Sequence, residues 1–378
     1  MKAWNLRWDI KLRRFNFALG GLIFMSWSQR TLALGILGSV FLFTAQSQTA
    51  GAPALKKPSA SYALSTRSRN LPCEIYRAAN TPCVAAFSTV RTLYVSYSGP
   101  LYQVTRESDK TNRDVRVLPD GYADAGQQDS FCAKTACTIT KIYDQSPKHN
   151  DLFVAPPGGA AKGKGPGGHD LPAVANALPI IAGGHKVYGI YIAAGMGYRN
   201  DKTSGIAVKG QPEGVYMVSS GTHVNSGCCF DFGNAETNNL DNRAGHMDAI
   251  SLMCDRANPC KPHAGLDMED GIYPLSPVPA KLAFVTAMGA NDGQHKYAVY
   301  WGDSQKGSLT STGLIPLPKG YSPMKQEGAI ILGIGGDNSN ASIGSFFEGA
   351  MTAGKPSDAT MKDVQANIVT AGYAIPHS

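Results

Sequence analysis

The 378-residue chain is poor in charge and lacks several motifs that would define its class. Charged residues make up only 17% of it, and it has neither a CxxC pair nor an HExxH motif, so the sequence gives no sign of a zinc module or a zinc protease. No repeat of 20–50 residues is visible. The 42 glycines and 23 prolines indicate many turns and few long helices.

Basic residues are concentrated at the N-terminus. Residues 1–47 carry six lysines and arginines against one aspartate, and the remaining residues have an excess of only two positive charges. Because no basic stripe remains, we expect no nucleic-acid partner. Residues 32–45 form an apolar run that is shorter than the roughly 20 residues of a membrane span. This pattern indicates a signal peptide, with Met25 as an alternative start, although an uncleaved anchor remains the rival interpretation.

Residues 48–70 resemble a flexible linker, and we expect the folded catalytic domain to cover 71–378. Beyond the linker, short β-rich runs are separated by glycine, proline, asparagine and aspartate, which predicts a sandwich or a barrel. One helix is expected near the C-terminus, capped by Ser357 or Asp358. The β-rich runs are 93–106, 138–143, 187–193, 215–219, 282–288, 296–301 and 329–334, and the glycine-rich stretch 155–168 is expected to be a surface loop.

All eight cysteines follow the leader, and their even number in an exported chain indicates disulfides. Spacing favours local pairs, whereas the neighbours Cys228 and Cys229 can bond to each other or to distant partners. A metal site at Cys254, Cys260 and His263 lacks an evident fourth ligand. The local pairs are Cys73 with Cys83, Cys132 with Cys137, and Cys254 with Cys260.

Two acidic motifs are candidates for chemistry. In Asp267-Met-Glu269-Asp270, an extended backbone would put Asp267 and Glu269 on one face, although such a pattern is also common on surfaces. In the segment 333–340, GIGGDNSN, glycines allow close approach of a ligand to Asp337, although a plain tight turn is an equal reading. That segment lacks the Lys-Ser/Thr of a nucleotide-binding loop.

Three further residues are weaker candidates. Glu236 and Glu348 can each line a sugar cleft, cap a turn or neutralise a cation. His246 has no serine nucleophile motif nearby.

Together these stretches resemble the fungal-type α-L-arabinofuranosidase B family, glycoside hydrolase family 54. The likeness runs in the same order from about residue 71 to the C-terminus, and the Cys-Cys and Gly-Gly-Asp motifs are long and specific. The matching segments are 71–76, 81–86, 142–146, 155–159, 197–200, 228–237, 244–247, 267–269 and 327–340.

The resemblance implies an all-β fold, a β-sandwich of the concanavalin-like jelly-roll type with a short C-terminal helix. It implies a retaining, exo-acting enzyme that hydrolyses terminal α-L-arabinofuranosyl groups of polysaccharides or oligosaccharides, with Glu269 as nucleophile and Asp337 as acid/base. It also supports the pairs 73–83, 132–137 and 228–229. The implied sugar-binding positions are Asp267, Gly336 and the disulfide Cys228–Cys229.

The chain departs from the family pattern at three places. Residues 248–266 lack the tryptophan that family members place against the sugar, and instead contain Cys254 and Cys260, expected to form a fourth disulfide. Asp270 replaces an asparagine beside the nucleophile and is a further candidate for substrate binding. We expect no arabinose-binding β-trefoil of the kind that is common in the family. These departures bear on substrate choice more than on reaction class.

A retaining glycosidase needs two carboxyl groups roughly 5–5.5 Å apart and no metal or organic cofactor. We therefore expect a secreted (extracellular or periplasmic) monomer that meets a membrane only if its leader stays uncleaved. The competing readings are a related furanosidase or β-xylosidase, and a lectin-like sandwich that binds without cleaving. The intact pair Glu269 and Asp337 argues against the lectin.

The leader predicts a mature N-terminus between about residues 45 and 51. N-terminal sequencing of the exported protein checks this position. Recovery of the intact chain from membranes would instead favour an anchor.

Overall fold

The computed structural model describes residues 70–255 and 259–376, so the leader and most of the predicted linker lie outside the described residues. Short antiparallel strands dominate, as the abundance of turn residues predicts. The helices are α1 (Pro72–Ala78), α2 (Ala125–Phe131) and α3 (Asp358–Thr370). The strands are β1 (Cys83–Ser88), β2 (Tyr102–Arg106), β3 (Asn112–Val115), β4 (Cys137–Ile142), β5 (Leu152–Val154), β6 (Leu178–Ala182), β7 (His185–Ile192), β8 (Tyr198–Asn200), β9 (Glu213–Ser219), β10 (Asp231–Ala235), β11 (Asp248–Cys254), β12 (Pro262–Asp267), β13 (Ile272–Pro277), β14 (Val285–Asn291), β15 (Lys296–Asp303), β16 (Thr310–Ser311), β17 (Ile315–Pro316), β18 (Ala329–Leu332), β19 (Gly344–Phe346) and β20 (Glu348–Ala353).

The strands form two large sheets and one small sheet. The first has the order β1-β20-β9-β14-β15-β16, with β17 also pairing with β15. The second has ten strands in the order β13-β12-β11-β10-β18-β8-β5-β4-β2-β3, and the third is β19-β7-β6. In the second sheet β12, β11, β10 and β18 are consecutive neighbours, so the ends of segments far apart in sequence come together.

Apolar side chains join the two large sheets face to face. The ring of Phe232 in β10 meets that of Phe87 in β1 edge-on, with centroids 6.0 Å apart. Leu266 of β12 packs onto Gly289 of β14, where a side chain would collide with it. Burying a side chain such as Phe232 stabilises the fold by about 1.5–3 kcal/mol. The arrangement is the expected β-sandwich.

The expected C-terminal helix is present as α3. The Ser357 hydroxyl accepts a hydrogen bond from the Thr360 N–H, which caps its first turn, and Met361, Val364 and Ile368 are buried. Within residues 70–255 and 259–376, no helix is long and apolar enough to cross a membrane.

The predicted strand over residues 93–106 was too long. The run 93–106 forms a strand only from Tyr102 onward, because Gly99-Pro100 interrupts it and Tyr97 donates its hydroxyl to the Pro100 carbonyl at 2.5 Å.

The four disulfides join the pairs expected from the sequence. They are Cys73–Cys83, Cys132–Cys137, Cys228–Cys229 and Cys254–Cys260.

Two carboxyl groups are buried between the large sheets, and neither forms an ion pair with a cation among the residues that the structure describes. Glu213 of β9 accepts from the amides of Asn234 and Gln326 at 3.1 Å, and Asp248 of β11 lies beside it. Burial raises the pKa of Asp248 to about 7 and holds that of Glu213 well above its usual range. The folded protein therefore keeps protons that the unfolded chain releases above about pH 4.

This burial predicts that the free energy of unfolding falls as the pH rises above about 4, and that it goes on falling through the pKa of Asp248, near 7. Asp248→Asn removes one of the titrating groups. Between pH 4.5 and 7.5, the free energy of unfolding of this variant should therefore fall by about 1–3 kcal/mol less than that of the wild type. Urea titrations at pH 4.5 and 7.5 measure the difference. Asp363→Asn, at an exposed position of α3, is the matched control, and equal pH slopes for all three proteins would contradict the prediction.

Candidate active site

A cavity of about 460 Å³ opens on the outer face of the ten-stranded sheet. Leu266 and Phe232 point into the sandwich, so their neighbours Asp267 and Asp231 point to the opposite face. The cavity wall includes all seven residues that the sequence and the resemblance nominated for catalysis and sugar binding. They are Cys228, Cys229, Asp267, Glu269, Asp270, Gly336 and Asp337.

The turn between β12 and β13 presents Glu269. The premise of an extended backbone was wrong: β12 ends at Asp267, and Glu269 and Asp270 have φ angles of 60° and 56°. The Glu269 N–H donates to Asp267 Oδ1 at 3.1 Å, and the Tyr321 hydroxyl donates to the Glu269 carbonyl at 2.8 Å. Left-handed backbone at a non-glycine residue is costly and persists where its surroundings fix it. Asp267 and Glu269 thus reach the same cavity through a turn.

Asp337 lies in the loop that follows β18. Its Oδ1 accepts hydrogen bonds from the Ser339 N–H at 3.0 Å and the Ser339 hydroxyl at 2.6 Å. The Gly335 N–H donates to the Ser339 carbonyl at 2.9 Å and closes the loop. The tight turn expected for this segment is present, and it directs Asp337 into the cavity.

The glycine-rich stretch 155–168 is more than a surface loop. The Ala160 N–H donates to the Asp337 carbonyl at 2.9 Å, and a side chain at Gly158 would collide with the Asp337 backbone. Asp170 then accepts from the amides of Asn338, at 3.3 Å, and Asn340, at 2.7 Å. The loop therefore fixes the backbone of the segment that carries Asp337. The sequence of the stretch gives no direct sign of this role, although its start, 155–159, belongs to the family resemblance.

The neighbouring cysteines form one wall of the cavity. The Cys229 N–H donates to the Ser339 carbonyl at 3.1 Å, and the Ser342 hydroxyl donates to the Cys229 carbonyl at 2.6 Å. Both sulfur atoms and a carboxylate oxygen of Asp267 lie within 4.8 Å of one another. Because the sulfurs are bonded to each other, they are not thiolates, and this trio does not supply a metal donor set.

Arg199 was not nominated as a site residue, although its segment 197–200 lies within the resemblance. Its guanidinium is buried and donates to the backbone carbonyls of Gly336 and Glu236. At Gly336 a side chain would overlap the Glu236 carboxyl group. Arg199 therefore ties the end of β10 to the loop that carries Asp337, and only glycine fits between them.

Four carboxyl groups are concentrated beneath and beside the cavity. Burial raises the pKa of Glu269, and the nearby carboxyls of Glu236 and Asp267 raise it further. Burial also raises the pKa of Asp267 to about 7, that of Glu236, and that of Asp231, which lies well above its usual range. These groups interact closely enough that their ionisation is a property of the cluster.

Apolar side chains form another part of the cavity wall. Met247, Met253, Ile272 and Leu275 line the cavity, and Leu275 is 54% exposed at its rim. Met253 directly precedes Cys254, so the disulfide to Cys260 closes a loop next to this wall.

Two of the weaker candidates lie elsewhere. Glu348 is buried in the core, where it binds Arg91 through two hydrogen bonds of 2.5 and 2.7 Å, so it neutralises a cation. His246 contacts Glu327 at 2.8 Å and lines a different cavity.

Comparison with known proteins identifies the family of the chain. The family model described as α-L-arabinofuranosidase B, catalytic, matches residues 72–374. A probable α-L-arabinofuranosidase B from Aspergillus fumigatus is 48% identical over 317 residues, which cover 80% of this chain and 62% of that protein. An arabinofuranosidase/β-xylosidase from Trichoderma koningii is 48% identical over 319 residues, which cover 80% of this chain and 63% of that protein.

A solved structure shares the fold. It is an arabinofuranosidase complexed with arabinofuranosyl-α-1,2-xylobiose, and it matches with a TM-score of 0.77 and 44% identity over 81% of this chain and 66% of its own. The chain thus spans somewhat less than two thirds of the length of these relatives. Since the family model covers most of the chain and the fold agrees, the chain belongs to the catalytic α-L-arabinofuranosidase B family, glycoside hydrolase family 54.

Proposed function

We propose that the protein is a retaining, exo-acting α-L-arabinofuranosidase. The observation that carries this proposal is the meeting of Glu269 and Asp337, from two separate loops, in one cavity. Relatives at 48% identity carry that activity in their names, and the structure bound to an arabinofuranosyl oligosaccharide supports a carbohydrate substrate.

The carboxyl groups of Glu269 and Asp337 have different roles in the reaction. Glu269 attacks the anomeric carbon while Asp337 gives its proton to the departing glycosidic oxygen, which forms a glycosyl ester on Glu269. Asp337 then takes a proton from water, and that water displaces Glu269, so the configuration is retained. The hydrogen bonds from Ser339 hold the Asp337 carboxyl in place for both steps.

The remaining wall selects the sugar. Asp267 and Asp270 offer acceptors to sugar hydroxyls, the Gly336 backbone permits close approach, and the Cys228–Cys229 disulfide gives an apolar face. In this proposal residues 71–378 are the catalytic domain, 1–47 a leader and 48–70 a linker. The protein is exported and acts on arabinose-containing polysaccharides or oligosaccharides.

A β-xylosidase activity is the second candidate, because the relative from Trichoderma koningii is named for both activities. Hydrolysis rates on 4-nitrophenyl α-L-arabinofuranoside and on 4-nitrophenyl β-D-xylopyranoside separate the two. A protein that binds but hydrolyses neither would instead be a lectin-like module.

Glu269→Gln should abolish turnover without unfolding the protein, because an amide cannot form the glycosyl ester. Asp337→Asn should retain more activity on a glycoside whose leaving group needs no proton. Rates on the aryl arabinofuranoside and on an alkyl arabinofuranoside, together with thermal melting curves, measure both effects. Near-wild-type turnover by Glu269→Gln would overturn the assignment of the nucleophile.

The Cys254–Cys260 loop should tune substrate binding more than stability. Its bond closes a segment with a sequence separation of only 6, so it removes little entropy from the unfolded chain, while Met253 beside it lines the cavity. We expect the Cys254→Ser, Cys260→Ser double variant to raise KM with a modest change in melting temperature. The reverse pattern, a large loss of melting temperature with unchanged KM, would assign the loop a structural role remote from the site.

A further inference from the structure

We propose that Asp170 is a positioning residue for the acid/base group: it holds the amides on both sides of Ser339, and through Ser339 it fixes the direction of the Asp337 carboxyl. This inference rests on the proposed function, because it takes Asp337 as the group that protonates the leaving oxygen. Asp170 does not line the cavity, so it acts only through its neighbours.

Asp170 is fixed by the glycine-rich loop that precedes it. Only 1% of the residue is exposed, and its N–H donates to the Ala155 carbonyl at 2.9 Å. Within the loop, the Gly163 N–H donates to the Gly168 carbonyl at 2.8 Å, and a side chain at Gly163 would collide with the Cα of Asp170. The loop therefore closes against this residue and leaves its carboxyl group little freedom to move.

The side-chain amides of Asn338 and Asn340 converge on one oxygen of Asp170. Their nitrogens donate to Oδ1 at 3.3 and 2.7 Å. Asn338 is fully buried and has a φ of 66°, a left-handed conformation that is costly for such a residue and persists where its surroundings fix it. The backbone of Asn340 is held as well, because the Gly195 N–H donates to its carbonyl at 2.7 Å. A single carboxyl oxygen thus holds the residues before and after Ser339.

Ser339 carries this constraint to Asp337. Its N–H and hydroxyl donate to Asp337 Oδ1 at 3.0 and 2.6 Å, and its carbonyl accepts from the N–H groups of Gly335 and Cys229 at 2.9 and 3.1 Å. Loss of the acceptor on Asp170 would free the segment that carries both donors to Asp337. General acid catalysis depends on the direction of the carboxyl, because its proton must reach the leaving oxygen along a hydrogen bond.

The role needs an acceptor at Oδ1 of Asp170 and not a negative charge. A carboxyl group offers that acceptor whether or not its other oxygen holds a proton, and the amide of an asparagine offers it too. Oδ2 has no hydrogen-bond partner among the residues that the structure describes. Asp170→Asn should therefore keep the contacts of both amides, whereas Asp170→Leu, which has a similar shape, removes the acceptor.

The test compares kcat/KM on 4-nitrophenyl and on methyl α-L-arabinofuranoside, because the first leaving group departs without a proton and the second requires one. For Asp170→Leu we expect kcat/KM to fall about 10–100-fold more on the methyl glycoside than on the 4-nitrophenyl glycoside, as for a misdirected general acid. Asp170→Asn should stay within about 10-fold of the wild type on both substrates. A loss through general loosening of the fold would not distinguish the two leaving groups.

Three further variants sharpen the test. If Asp170→Leu does not fold, Asn340→Ala, which removes the shorter of the two amide contacts, carries the same expectation. Ser339→Ala combined with Asp170→Leu should lose less on the methyl glycoside than the two single losses predict, because both act on one chain of contacts. Asp144→Asn is the control: Asp144 is also buried and accepts from two backbone N–H groups at 2.8 Å, but it does not line the cavity, so the ratio of the two kcat/KM values should not change.

The outcomes separate this inference from the function on which it rests. A wild type that hydrolyses neither glycoside would overturn the function. If the wild type is active and Glu269→Gln is not, the function is supported, and equal losses on both substrates in Asp170→Leu, or no loss, would overturn only the role of Asp170. Strictly additive losses in the double variant would also overturn it.

Discussion

The cost of burying several carboxyl groups on one face of one sheet shapes this site. Asp231, Glu236, Asp267 and Glu269 lie close together where water is scarce, and each has a raised pKa. The cation beside them, Arg199, binds backbone carbonyls and pairs with Asp201, and its charge offsets the raised pKa of Glu236 only in part. The cluster is therefore compensated by shared protons, and its reactivity depends on which group holds them.

The site also depends on the strand pairing that brings its residues together. The active groups come from segments that are far apart in sequence, and the neighbouring strands β12, β11, β10 and β18 bring them together. Buried polar contacts then fix the loops: Asp170 holds the amides beside Asp337, and Tyr321 holds the backbone of Glu269. Such support lets a rigid sandwich present reactive groups from loops with little freedom to move.

Local patterns in the sequence predicted what depends on local physics. The capped helix α3 and the strand β18 follow from short-range periodicity and turn residues, and the resemblance supplied the pair Glu269 and Asp337. Asp267 and Glu269 face the same cavity, but through a turn and not through the extended strand that was expected. The left-handed φ angles at Glu269 and Asp270 could not be predicted, because neither residue type indicates such a conformation.

Long-range contacts could not be predicted from such local patterns. Nothing local shows that Arg199 joins Gly336 to Glu236, or that Glu236 lies under the cavity, because those contacts arise only when strands β8, β10 and β18 pair. Glu348 shows the converse: its sequence context allowed a sugar cleft, whereas the fold buries it against Arg91.

The central claim is that Glu269 forms the covalent bond to the sugar. Peptide mapping by mass spectrometry, after incubation with a mechanism-based arabinofuranosyl inactivator, tests it most directly. The account predicts one label, on the peptide that contains Glu269 and assigned to that residue by fragmentation. A label on Asp267, Glu236 or Asp337 instead would contradict it.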